Sequence, residues 1–191
     1  MIKKQLFILI SCLLSFAGGA IWVWKGSELS VLSPANPEIG YYRSSHFVIM
    51  PWLGFGLACI GIGLTGLFVL LSQAGRFTRL SFVVALIGCF LYFFGTLTRL
   101  SMDLSIEFEP TQPIGIIMSI IGLLLFSLSM LRLKLLPLIC RLLLLISALS
   151  LLIFNDQYIT SWSSIPFGLS WIGLGLFLFF KFKASPLRKK A

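Results

Sequence analysis

The chain has 191 residues, 58% of them hydrophobic and only 11% charged, and its mean hydropathy is +1.03. A soluble domain of this length needs a far more polar surface, so the composition excludes a soluble globular enzyme or binding module. The net charge of +9 does not point to nucleic acid either, because the basic residues fall in short clusters between apolar runs and form no basic face interleaved with aromatics.

Apolar runs of about 18 residues or more read as transmembrane helices. Lys3 and Lys4 precede the first run, residues 6–24. At 1.5 Å per residue it spans about 29 Å, close to one hydrocarbon thickness. A cleaved signal peptide is the rival reading, since Ala17-Gly18-Gly19-Ala20 offers small residues. Hydrophobicity continues through Ile21-Trp22-Val23-Trp24, which favours an uncleaved span.

Residues 25–46 are the longest polar stretch, broken by Pro34, Pro37 and Gly40. The second helix, 47–72, carries no charge but five glycines, Gly54, Gly56, Gly61, Gly63 and Gly66. Glycine is the poorest ordinary helix former in water, so this density suggests close contact with other helices. A short turn with Arg76 and Arg79 leads to a third helix, 80–98. Residues 99–112 are polar and hold Arg99, Asp103, Glu107 and Glu109. A fourth helix, 113–131, is joined to a fifth, 135–154, by a tight turn marked by Arg132 and Lys134. A loop, 155–162, precedes the sixth helix, 163–180, and a basic tail follows. The expected fold is all-α, a polytopic membrane protein built as one compact domain of six transmembrane helices.

Charge sets the expected orientation. With both termini in the cytoplasm, the inner segments hold Lys3, Lys4, Arg76, Arg79, Arg132, Lys134, Lys181, Lys183, Arg188, Lys189 and Lys190. The outer ones hold only Lys25, Arg43 and Arg99, so the positive-inside rule is obeyed at every inner loop. The acids Glu28, Glu38, Asp103, Glu107, Glu109 and Asp156 all fall outside. A bacterial inner membrane is the expected location. The tail lysines and Arg188 are expected to lie on anionic lipid.

The three helices that enter from outside share an echo. Each has a proline near its outer end and two glycines seven apart: Pro51, Gly54, Gly61; Pro113, Gly115, Gly122; Pro166, Gly168, Gly175. Seven residues are nearly two turns, so each pair shares a face. Three repeated helix hairpins would produce this, as would the general frequency of Pro and Gly in membrane helices. Small residues also recur at i, i+4, i+7, as in Gly54, Ala58, Gly61 and in Gly115, Ser119, Gly122. A second stripe on the second helix, Cys59, Gly63 and Gly66, suggests two close neighbours and a central position. A pore or hinge lined by these glycines is the functional alternative to packing.

Chemistry is sparse. The clear intramembrane ionisable residue is Arg141, about seven residues above the inner boundary of the fifth helix, where its stem can snorkel to inner-leaflet lipid. The single histidine, His46, lies in Tyr41-Tyr42-Arg43-Ser44-Ser45-His46 at the outer edge of the second helix. It is a candidate base or ligand but more simply an interfacial polar group. Trp22, Trp24, Tyr41, Tyr42, Trp52, Tyr158 and Trp162 cluster at the outer interface, as anchors or as a binding surface. Residues 100–109 alternate apolar and polar, which predicts an extended outer segment; a helical extension is the rival. Asp103, Glu107 and Glu109 could meet Ca²⁺ or a basic partner, with plain solvation the simpler reading. Cys12, Cys59, Cys89 and Cys140 match no metal or redox spacing and read as packing residues.

No cofactor, metal or nucleic acid is expected. The expected partners are the lipid bilayer and either another membrane protein or a second copy. A non-enzymatic subunit or scaffold heads the expected functions. A permease or channel for a neutral or lipidic solute follows, then an intramembrane enzyme using His46 and the outer acids.

Overall fold

A computed structural model describes residues 2–32, 39–71, 75–101, 110–154 and 162–183. Among the described residues the regular structure is helical and there is no strand. The helices are α1 (Ile2–Leu32), α2 (Ile39–Val69), α3 (Arg76–Ser101), α4 (Thr111–Leu133), α5 (Leu138–Ile153) and α6 (Ser164–Lys183). Five of them contain stretches long and apolar enough to cross a membrane, while α5, at 16 residues, is shorter, about 24 Å.

Several helices outrun the apolar runs that announce them. The expected polar connection at 25–46 is largely helical, since α1 continues to Leu32 and α2 starts at Ile39. Pro51 is therefore interior to α2 and not in its first turn. Pro113 and Pro166 do lie in the first turns of α4 and α6, where a missing N–H costs least. At the other extreme α5 starts three residues later than its apolar run. Lys134 ends α4 in the left-handed region (φ 53°), its N–H bonded to the Met130 carbonyl, and Pro137 stands immediately before α5. The expected extended segment at 100–109 begins inside a helix, as Leu100 and Ser101 belong to α3; residues 102–109 lie outside the described residues.

The six helices form a closed ring in chain order. Each packs on the next, and α6 returns to α1; α3 with α4 and α1 with α6 make the most extensive contacts, and α2 also touches α6. The inward sides merge into one apolar cluster. Leu53, Leu57, Ile60, Leu64 and Leu67 of α2, Leu123, Phe126 and Met130 of α4, and Phe167, Trp171, Leu174 and Leu178 of α6 are all 1% exposed or less. Every helix also turns large apolar side chains outward, such as Leu13, Phe55, Leu80, Ile117, Ile139 and Phe180. Water does not tolerate an apolar surface of this extent, whereas lipid does. The chain is a multi-pass membrane protein by this criterion.

Candidate functional site

Two kinds of place can carry function here, the seams between helices and the two ends of the bundle. The α3–α4 seam is the tightest. A Cβ added at Gly88, Gly95, Gly115 or Gly122 would strike backbone across the seam: Ser119 N, Gln112 N, Tyr92 N and Ala85 N respectively. Those contacts pair Ala85, Gly88, Tyr92 and Gly95 on one helix with Gly122, Ser119, Gly115 and Gln112 on the other, one step for one step and antiparallel. Backbones approach this closely only where side chains are absent, and the contact area gained replaces the hydrophobic drive that lipid cannot supply. Ser119 Oγ donates to its own Gly115 carbonyl at 2.9 Å, so the seam leaves that hydroxyl satisfied.

α1 is gripped from two sides. A Cβ at Gly18 would lie 2.5 Å from the Gly56 carbonyl of α2, and one at Gly19 would lie 2.5 Å from the Gly168 carbonyl of α6. Gly63 and Gly66 face Ser15 and Ser11 of α1, and Gly175 lies against Cys12, Ser15 and Phe16. Cys12 donates its thiol to the Gly175 carbonyl at 3.1 Å. The two small faces of α2 thus divide their work. Gly56, Gly63 and Gly66 meet α1, while Gly54 and Gly61 meet Thr96 and Cys89 of α3. Ala58, between them, is buried. The three seven-spaced glycine pairs each keep to one face, but the neighbours they meet are not equivalent: α3 for the pair on α2, α3 again for α4, and α1 for α6.

Buried polar groups bridge the remaining gaps. Trp171 Nε1 donates to Ser147 Oγ at 2.8 Å, tying α6 to α5. The Tyr92 hydroxyl donates to Met50 Sδ at 3.4 Å, with Gln112 Nε2 4.0 Å from the same sulfur, where α2, α3 and α4 meet. Thr78 and Ser129 share a hydrogen bond between α3 and α4. Sequence reasoning singled out none of these pairs. Trp171 gave a usable signal: an indole in the middle of a span needs an acceptor inside the bundle. Ser11, Ser15, Ser163 and Ser164 Oγ and Trp22 Nε1 are buried without a hydrogen-bond partner among the described residues.

The two ends differ. At one, Arg76, Arg79, Arg132, Lys134, Lys181 and Lys183 are exposed. Arg141 joins them from the first turn of α5, far shallower than its sequence position suggests. Its Nη1 donates to the Leu131 carbonyl at 3.3 Å, one of the acceptors that the end of α4 leaves free. Arg188, Lys189 and Lys190 lie outside the described residues.

The opposite end carries three exposed indoles, Trp24, Trp52 and Trp162. Lys25 pairs with Glu28 at 2.9 Å and sits 4.0 Å above the Trp24 ring. Trp22 was expected among these interfacial aromatics, but it is fully buried, edge-on to Phe154 and Phe167 at 5.2 and 4.6 Å. The reason is that α1 continues past it, which puts Trp22 inside the helix, against Gly56 of α2, Phe167 of α6 and Phe154 just past α5. Tyr41, Tyr42, Arg43 and His46 belong to the first turns of α2, and Arg99 to the end of α3, so the backbone brings them to this end. Asp103, Glu107, Glu109 and Tyr158 lie outside the described residues. Among the described residues no three His, Cys, Asp or Glu come together as a metal site would require.

Comparison with protein-family models, with curated proteins and with solved structures finds no match.

Proposed function

We propose that this chain is a non-enzymatic subunit or scaffold of a membrane assembly, acting through its helix surfaces and the end that carries Trp24, Trp52 and Trp162. One observation carries the reading. The residues that α2, α4 and α6 direct into the shared cluster are hydrophobic and 3% exposed or less. A permease needs polar groups along a path between these helices, and an ion or proton pathway needs ionisable ones. Within the cluster the Tyr92 hydroxyl and the Trp171 indole N–H are already engaged, by Met50 and Ser147.

The glycine faces are also spent. Each helical glycine of α1, and each from Gly54 onward, meets another part of this same chain within 4 Å. A partner thus finds no free glycine groove and meets large apolar side chains or the indole-bearing end. His46, Tyr41, Tyr42, Arg43 and Arg99 share that end and are the candidate contacts there, with Asp103, Glu107 and Glu109 on the connection that follows α3. The one-sided basic residues support an orientation with both termini in the cytoplasm and six crossings, α5 included, in a bacterial inner membrane.

The test is co-purification. A photo-reactive residue at Trp52 should cross-link one defined protein, a partner or a second copy, in intact membranes, and that species should persist in mild detergent. Recovery of an uncross-linked monomer alone would rule the scaffold reading out.

A further inference from the structure

We infer that the basic end of the bundle is a docking surface for anionic phospholipid headgroups, centred on the start of α5. The inference rests on the chain lying in a bilayer and adds which lipid it selects. The ring order places α5 between α4 and α6. Its first turn is flanked by Arg132 and Lys134 at the end of α4 and by Lys181 and Lys183 at the end of α6, with Arg141 on α5 itself. Arg76 and Arg79 extend the patch to the start of α3.

What makes this a surface for an external anion is that the sequence at this end carries no Asp or Glu. The chain has only six carboxylate side chains, at 28, 38, 103, 107, 109 and 156. Glu28 lies near the far end of α1, and the other five fall in the connections that join helices at that same far end. No acid occurs in the turns or helix ends where the basic cluster sits. The described cations Arg76, Arg132, Lys134, Arg141, Lys181 and Lys183 therefore share one end whose surrounding sequence supplies no side-chain carboxylate. Arg132, Lys134, Lys181 and Lys183 are exposed and sit at or just beyond the ends of the apolar stretches of α4 and α6. Around them, Leu133, Leu135, Leu138, Ile139, Phe179 and Phe180 are exposed and supply acyl-chain contact. A ring of cations above apolar side chains matches a lipid that carries net negative charge on its phosphate group. A zwitterionic headgroup leaves the same cations without net compensation.

The experiment reconstitutes the full chain in nanodiscs of phosphatidylcholine with phosphatidylglycerol, releases it into the gas phase for native mass spectrometry, and counts the lipids retained. Retention should favour phosphatidylglycerol, by roughly fivefold for each cation engaged. The fourfold variant Arg132→Gln, Lys134→Gln, Lys181→Gln, Lys183→Gln should lose that preference, while Lys25→Gln at the other end should keep it. Equal retention of the two lipids by the unmodified protein would overturn the inference, and this arm needs no variant to fold. Preference that survives in the fourfold variant would overturn the assignment to these residues. In a parallel arm, thermal stability should rise when phosphatidylglycerol replaces phosphatidylcholine. An equal rise with inorganic phosphate in phosphatidylcholine nanodiscs would also overturn it, since a headgroup surface requires the lipid. Failure of the chain to enter nanodiscs at all would instead refute the membrane reading on which the inference rests.

Discussion

Gly115 has no room for a methyl group, because the Tyr92 backbone nitrogen occupies the space where a Cβ would go. Replacing it with valine must push α3 and α4 apart along their whole seam, and overpacking of this kind costs about 1–3 kcal/mol or more. Gly75, in the short connection before α3, is the control: a Cβ there meets nothing within 4 Å, and its φ is not positive. Gly75→Ala should change stability by less than about 0.5 kcal/mol. Unfolding by SDS titration from mixed micelles measures both, and equal effects would deny the seam its role. The Trp171–Ser147 bond gives a second test at this scale. Ser147→Ala strands a fully buried indole N–H, at a cost of about 1–3 kcal/mol. Adding Trp171→Phe removes the stranded donor, so the double variant should lose less than the two single losses combined. Stripes of small residues such as Gly115, Ser119 and Gly122 were legible in the sequence, because spacing alone puts them on one face. Which helix each stripe would meet was not. Gly54 and Gly61 face α3 while Gly56, Gly63 and Gly66 face α1, and nothing local to α2 encodes that choice.

The turn between α4 and α5 shows what a change of backbone does to an element. Lys134 holds φ at 53°, a conformation that costs an L-residue roughly 1–2 kcal/mol and glycine nothing of that kind. Lys134→Gly should therefore stabilise the joint by up to about 1 kcal/mol, after the larger entropy loss of glycine on folding is subtracted. Arg141→Leu should act in the opposite sense by roughly 1–3 kcal/mol, because it frees the Leu131 carbonyl at the end of α4. Thermal melts in detergent rank the two, and a matching loss in both would refute the proposed geometry of the turn. Six helices and their order were readable from hydropathy; their ends were not. The apolar run stops where the lipid-facing composition stops, yet a helix continues as long as its backbone bonds can form. So α1 and α2 extend into sequence that reads as a polar connection, and Pro51 becomes an interior residue. Conversely Leu135 and Leu136 are apolar but lie outside α5, because Lys134 and Pro137 bracket them with backbone geometry that no helix accepts. For the same reason Arg141 lies nearer the end of its helix than the apolar run implies.

At the scale of the molecule, the ring of antiparallel helices has one basic end and one end rimmed by indoles, and its orientation in a membrane can be read by labelling. The four cysteines are all buried, at 5% exposure or less, so they should react slowly with a membrane-impermeant maleimide and need not be removed. Gly75→Cys places a thiol at the basic end, where added bulk meets nothing. Trp162→Cys places one at the opposite end, where the indole is 52% exposed. Basic segments stay on the cytoplasmic side. Hence in right-side-out vesicles the Trp162 variant should label and the Gly75 variant should not, and inverted vesicles should reverse the pattern. Labelling of both variants from one side would break the alternation of α2, α3 and α6 across the bilayer. A reversed pattern would leave the bundle intact and invert it. That outcome would require the acids at 103, 107 and 109, rather than the lysine and arginine clusters, to face the cytoplasm. The short α5 adds one demand of its own. With about 24 Å of helix, against some 30 Å of hydrocarbon, it crosses only if the bilayer thins beside it or if Arg141 and its neighbours draw headgroups inward. A thiol placed at Leu138 should then be reached by the aqueous reagent from the basic side more readily than the apolar sequence around it would allow.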